Sequence, residues 1–79
     1  MNWNYRVILH DKDEDQWYGL HEVFYDDDGQ VTSWTEHACR FTAYLHEGAG
    51  SIYGSLLKAR VDAQKRPVLK ESELLGSRP

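Results

Sequence analysis

The sequence predicts a single small α+β domain, an antiparallel meander of three to four strands with one α-helix packed on one face. Three observations lead there: period-two alternation near the N-terminus, two polyacidic turns that separate strand-like runs, and one stretch of helical spacing after residue 50. Trp3, Tyr5, Val7 and Leu9 alternate with Asn4, Arg6, Ile8 and His10, which gives the first strand its apolar face on the odd residues. Asp11-Lys12-Asp13-Glu14-Asp15 follows without an apolar side chain, a loop of about five residues that returns the chain as an antiparallel hairpin. Residues 16–25 are rich in aromatic and β-branched side chains and form the second strand. Its buried face is either Tyr18, Leu20, Glu22 and Phe24 or Trp17, His21, Val23 and Tyr25.

Asp26-Asp27-Asp28-Gly29 is the sharpest local signal, because Asp opens a type I turn and Gly accepts the positive φ of a bulged hairpin. A third strand over residues 30–36 completes that hairpin. Cys39, Phe41, Ala43 and Leu45 alternate with Arg40, Thr42, Tyr44 and His46, which suggests a fourth strand or an extended approach to the helix. Gly48-Ala49-Gly50 breaks the pattern, Ser51 can cap, and Ile52, Leu56, Ala59 and Ala63 recur at spacings of three and four. The helix ends near Lys65-Arg66, where cations suit its dipole and Pro67 disfavours helical geometry in the residue before it. Gly54 within it costs about 1 kcal/mol relative to Ala, so the helix depends on tertiary packing. Pro67-Val68-Leu69 docks against the core; the domain spans residues 1–75, and residues 76–79 form a frayed tail.

Composition sets limits on function. With 41% hydrophobic and 13% aromatic residues the 79-residue chain is too apolar to be disordered, yet no apolar run approaches a membrane span. The opening Met1-Asn2-Trp3-Asn4-Tyr5 is unlike a secretory signal, which places the protein in the cytoplasm. Cys39 is the only cysteine, which rules out an internal disulfide and a multi-thiolate zinc cage. Residues 1–36 hold nine acids against Arg6 and Lys12, a net of −7, and residues 37–79 hold seven bases against four acids, a net of +3, giving the −4 of the whole chain. Such a dipolar molecule is steered toward a basic partner surface and away from nucleic acid itself. Three tryptophans and five tyrosines are more large rings than one helix and one sheet face can cover, so some form an exposed contact patch.

No residue pattern supports catalysis, a metal or a cofactor. Asp11, Asp13, Asp15 and Glu22 fit positions one, three, five and twelve of a calcium loop, but Gln16 stands where that loop needs Gly, and the flanks read as strands. His10, His21, His37, His46 and Cys39 lack the short spacings that gather zinc ligands. Both His37 and Arg40 could lower the Cys39 thiol pKa, but a nucleophile also needs an oriented base and a concave site. His21 and Glu22 are strand neighbours on opposite faces, able to act as an acid/base pair only across strands. Phosphate-loop, GxSxG and nucleotide-fingerprint motifs are missing from the sequence.

The string Trp17-Tyr18-Gly19-Leu20-His21-Glu22-Val23-Phe24-Tyr25-Asp26, with Asp28-Gly29, Trp34-Thr35-Glu36 and Pro67-Val68-Leu69, resembles a family of small bacterial proteins with no established activity. The resemblance runs over roughly residues 5–69 and departs at Gly48-Ala49-Gly50, where a more acidic helix start is the pattern. In shape, a meander followed by one helix is similar to HicB-type antitoxins. In size, acidity and lack of catalytic residues the chain resembles phage-encoded anti-CRISPR proteins, a likeness of class that assigns no residue.

Charge, rings and resemblance together predict a non-catalytic inhibitor that acts as a DNA mimic. Asp13, Glu14, Asp15, Asp26, Asp27 and Asp28 would meet Lys and Arg otherwise used for phosphate, with Trp17 and Trp34 as aromatic anchors. The partner implied is a protein with a basic surface, such as a CRISPR effector complex, bound by a monomer or homodimer. The alternative is an antitoxin or adaptor of HicB-like shape that dimerises through an open sheet edge or the helix.

Overall fold

A computed structural model describes residues 2–41 and 45–74. Strands β1 (Asn2–His10), β2 (Trp17–Tyr25) and β3 (Val31–Trp34) are followed by a 3-10 turn (Leu45–Glu47), helix α1 (Gly50–Lys65), strand β4 (Leu69–Lys70) and a second 3-10 turn (Glu71–Glu73). The sheet order is β3-β2-β1-β4. The two hairpins are antiparallel, but β4 returns from the helix to pair with β1 in parallel, Ile8 opposite Leu69, so the α+β sheet is mixed rather than a pure meander.

Register fixes the faces. Arg6 lies opposite His21, Ile8 opposite Gly19 and Val23 opposite Trp34, which puts the even residues of β1 on the same face as Trp17, His21, Val23 and Tyr25. This face holds the core of Ile8, Val23, Trp34 and Leu74, with Tyr25, Val31 and Leu69 packed against it. The ambiguity of β2 therefore resolves toward the histidine face. In β1 the expected odd apolar face is the less buried one, and the reason is coverage. The even face is closed by Trp34 and by Leu69 and Leu74 from the chain end, whereas the odd face meets the helix mainly at Tyr5, with Trp3 left partly exposed.

Helix α1 is tied to β1 by charge as well as by contact. Asp62 Oδ2 accepts the Tyr5 backbone N–H at 3.1 Å and Lys58 Nζ at 2.8 Å, and Lys58 Nζ sits 4.4 Å from the centre of the Trp3 ring. Burial alone would raise the Asp62 carboxyl; the bonds from Lys58 and Tyr5 outweigh it and hold the group below its ordinary value. Ser51 does not cap: the helix starts one residue earlier, and its N-cap Ala49 makes no side-chain bond. Ala59 is buried, with Ile52, Ser55, Asp62 and Ala63 half-buried, whereas Leu56, expected inward, is 47% exposed. The anchor at Asp62 rotates the helix so that residues 55, 59 and 62 face the sheet.

The expected fourth strand at residues 39–45 is absent among the described residues, and residues 42–44 lie outside them. After β3 the chain instead runs along the free edge of β2: Thr35 N–H donates to Glu22 O at 3.0 Å and Cys39 N–H to Leu20 O at 2.7 Å. That partial ladder shields the edge without forming a strand. The frayed tail expected at residues 76–79 also lies outside the described residues.

Candidate functional site

The loop between β1 and β2 is acidic and divided in its use. Asp11 Oδ1 accepts the Ser72 N–H at 2.9 Å and Oδ2 accepts the Ser72 hydroxyl at 2.6 Å, which staples the loop to the chain end. Those bonds hold the Asp11 carboxyl below its ordinary value. Asp13, Glu14 and Asp15 are exposed at the tip. Beside them stand two half-open rings, Trp17 at 50% and Tyr18 at 67% exposure. Trp17 lies stacked on His10, centroids 4.0 Å apart and planes 15° from parallel, so one of its faces is fixed and the other is free.

The second acidic turn is at the other end of β2. Asp26 Oδ1 accepts the N–H groups of Asp28 and Gln30 at 3.0 and 2.9 Å, and Gly29 takes φ of 79°, the conformation for which the turn needs glycine. Asp27 and Asp28 are exposed. The length of β2, roughly 26 Å at about 3.3 Å per residue, separates the two tips, so they are separate contacts and not one patch. Trp34, expected as an exposed anchor, is only 6% exposed and belongs to the core. Its position after Val31 on a short strand whose inner face meets Val23 explains the difference.

Beneath the first tip lies a polar cluster that sequence spacing does not reveal. His10 Nε2 and His21 Nε2 are 2.8 Å apart and buried. His21 Nδ1 is 2.9 Å from the Thr35 carbonyl, and His10 Nδ1 is 3.5 Å from Glu71, an ion pair only when the His10 imidazole is protonated. Because a carbonyl only accepts, His21 donates from Nδ1; its Nε2 then accepts, and His10 Nε2 carries the shared proton. Burial pushes the His21 imidazole down, toward the neutral form that this chain of bonds requires. The room comes from Gly19: a Cβ there would lie 2.7 Å from His21 Nε2 and 2.9 Å from Trp17 Cζ3. His10 and His21 are four positions off register, each two positions from the Ile8–Gly19 pair, and only the pairing of the strands exposes the signal.

The remaining candidates separate. Burial, with Glu22 nearby, raises the Cys39 thiol, the reverse of the lowering expected from His37 and Arg40. Glu22 and His21 are strand neighbours, and among the described residues no group of three or more His, Cys, Asp or Glu is arranged to hold a metal. No described helix is long and apolar enough to cross a membrane. Compared with known proteins, the chain matches no protein-family model, no curated protein and no solved structure.

Proposed function

We propose that this chain is a non-catalytic cytoplasmic binding protein that sets its first acidic tip on a basic surface of a nucleic-acid-handling complex and occludes it. The observation that carries the reading is the exposure of Asp13, Glu14 and Asp15 at the loop together with the open rings of Trp17 and Tyr18, one on each face of the strand that leaves it. The acids supply steering and charge-assisted contacts to Lys and Arg; the rings supply buried area at low entropic cost. Asp27 and Asp28 engage a second point on an extended partner.

The test is capture of partners from a host lysate after nuclease treatment, at low and high salt, with the natural chain and with Asp13, Glu14 and Asp15 changed to Lys. Occlusion by acid predicts a nucleic-acid-binding complex that survives nuclease, is released by salt and is lost in the charge-reversed chain. Unchanged binding and salt response after charge reversal contradict it. A second reading, an adaptor or antitoxin that pairs through its helix, is favoured by Tyr53, Leu57 and Val61, exposed at spacings of four on one side of α1. Light scattering that finds a dimer dissolved by Leu57→Glu supports that reading.

A further inference from the structure

Midway along β1 and directly opposite His21, Arg6 is buried, 8% exposed. Its Nη1 donates to Tyr25 Oη and its Nη2 to the Pro67 carbonyl, each at 2.9 Å, and both acceptors are neutral. Its Nε is buried and, among the described residues, without a partner. A guanidinium has five donors and no acceptor, and one taken out of water is ordinarily met by an anion. Among the described residues no carboxylate forms an ion pair with Arg6.

Arg6 lines an open groove of about 410 Å³ whose walls also include Asn2, Asn4, Tyr25, Arg66 and Pro67. Among the described residues two arginines and no acid line it. Tyr25 Oη, accepting from Arg6, donates onward to Asn4 Oδ1 at 2.8 Å, which leaves the Asn4 amide N–H₂ as a further donor. The charged groups nearby are accounted for. Asp62, which Arg66 influences, already accepts from Lys58 and Tyr5, and Asp26 accepts within its own turn. Asp27 and Asp28, exposed on the adjoining turn, oppose an anion from outside.

We infer that this groove binds a phosphate monoester, with the phosphoryl dianion between Arg6 and Arg66. Two guanidinium groups balance a dianion, whereas a carboxylate leaves one cation unmatched. Guanidinium forks suit phosphoryl oxygens, and the amides of Asn2 and Asn4 add neutral donors. The volume lies in the range of small-molecule sites and leaves room for an organic group beside Tyr25 and Pro67. The site is independent of the acidic tip at residues 13–15.

The test is calorimetry and thermal melting of the whole chain at neutral pH with phenyl phosphate, inorganic phosphate and acetate. Phenyl phosphate should bind one to one, raise the melting temperature and bind more tightly than inorganic phosphate, with acetate weakest. Arg66→Ala, at an exposed position, should melt like the natural chain and lose about tenfold in affinity, the loss expected of one charge-assisted contact. Arg6→Lys should lose more. Asp27→Asn with Asp28→Asn should strengthen binding. Absence of saturable binding, acetate as strong as phenyl phosphate, inorganic phosphate equal to the ester, or full affinity in both arginine variants would overturn the assignment.

Discussion

On the shared face of the β1–β2 hairpin, His10 and His21 are buried and bonded to each other and to the Thr35 carbonyl, whereas Arg6, the register partner of His21, is buried with neutral acceptors and, among the described residues, an unpaired Nε. All three lie on one face of the sheet, beside the same core. The difference separates two uses of a buried polar group. A closed network fixes one arrangement of the strands and offers nothing to a ligand; an open one leaves donors that a ligand can satisfy. Trp34 Nε1 is also buried without a partner among the described residues, but it is neutral and packed among the histidine rings, so it does not need an anion.

The largest effect should come from breaking the closed network. His21→Leu keeps the volume but strips the partner from His10 Nε2, and should cost about 2–4 kcal/mol in urea unfolding. Gly19→Ala leaves every histidine atom in place and instead drives a methyl into His21, at a cost of about 2 kcal/mol by the same measurement. If Gly19→Ala is as stable as the natural chain, the close meeting of the two imidazoles over that glycine is wrong.

Acid sharpens the contrast by a smaller amount. The folded state lowers the His21 pKa below its ordinary 6.5, so the unfolded chain binds more protons in that window. Stability is full above about 6.5 and falls as pH drops through the lowered value, with a slope of at most about 1.4 kcal/mol per pH unit for one proton. His21→Leu should remove that slope from melting curves. The depressed carboxyls of Asp11 and Asp62 add a separate loss at lower pH, as acid falls below their ordinary 3.8. Smallest of all should be Arg6→Met. Replacing an uncompensated buried charge by an apolar chain of similar length offsets the loss of two bonds, for a net change of about 0–1 kcal/mol. A cost as large as that of His21→Leu would erase the distinction between the histidine pair and Arg6.

Much of the frame was legible because local chemistry dictates it. The aspartate-rich loops, Gly29 and the alternation in residues 2–25 specify two hairpins, and Pro67 specifies where the helix stops. What escaped is non-local. Neither β4, two residues long, nor the coverage of the even face by Leu74 can be read before the chain end is placed beside β1. Residues 39–41 alternate like a strand, yet their hydrogen bonding goes to the edge of β2 through Cys39 alone among the described bonds. The acidic tips were visible as charge, but the 26 Å or so between them follows only from the length of the intervening strand. His10, Gly19 and His21 become a cluster, and Asn4, Arg6 and Tyr25 a second one, only when the register is known.

The most direct measurement is the side-chain ¹H–¹⁵N spectrum of the whole chain during titration with phenyl phosphate at neutral pH. The Arg6 guanidinium N–H signals should move as the ester binds, while the imidazole nitrogens of His10 and His21 keep their shifts. Movement of the imidazoles with Arg6 unchanged, or no movement of either, would contradict the division between a closed histidine pair and an open arginine site.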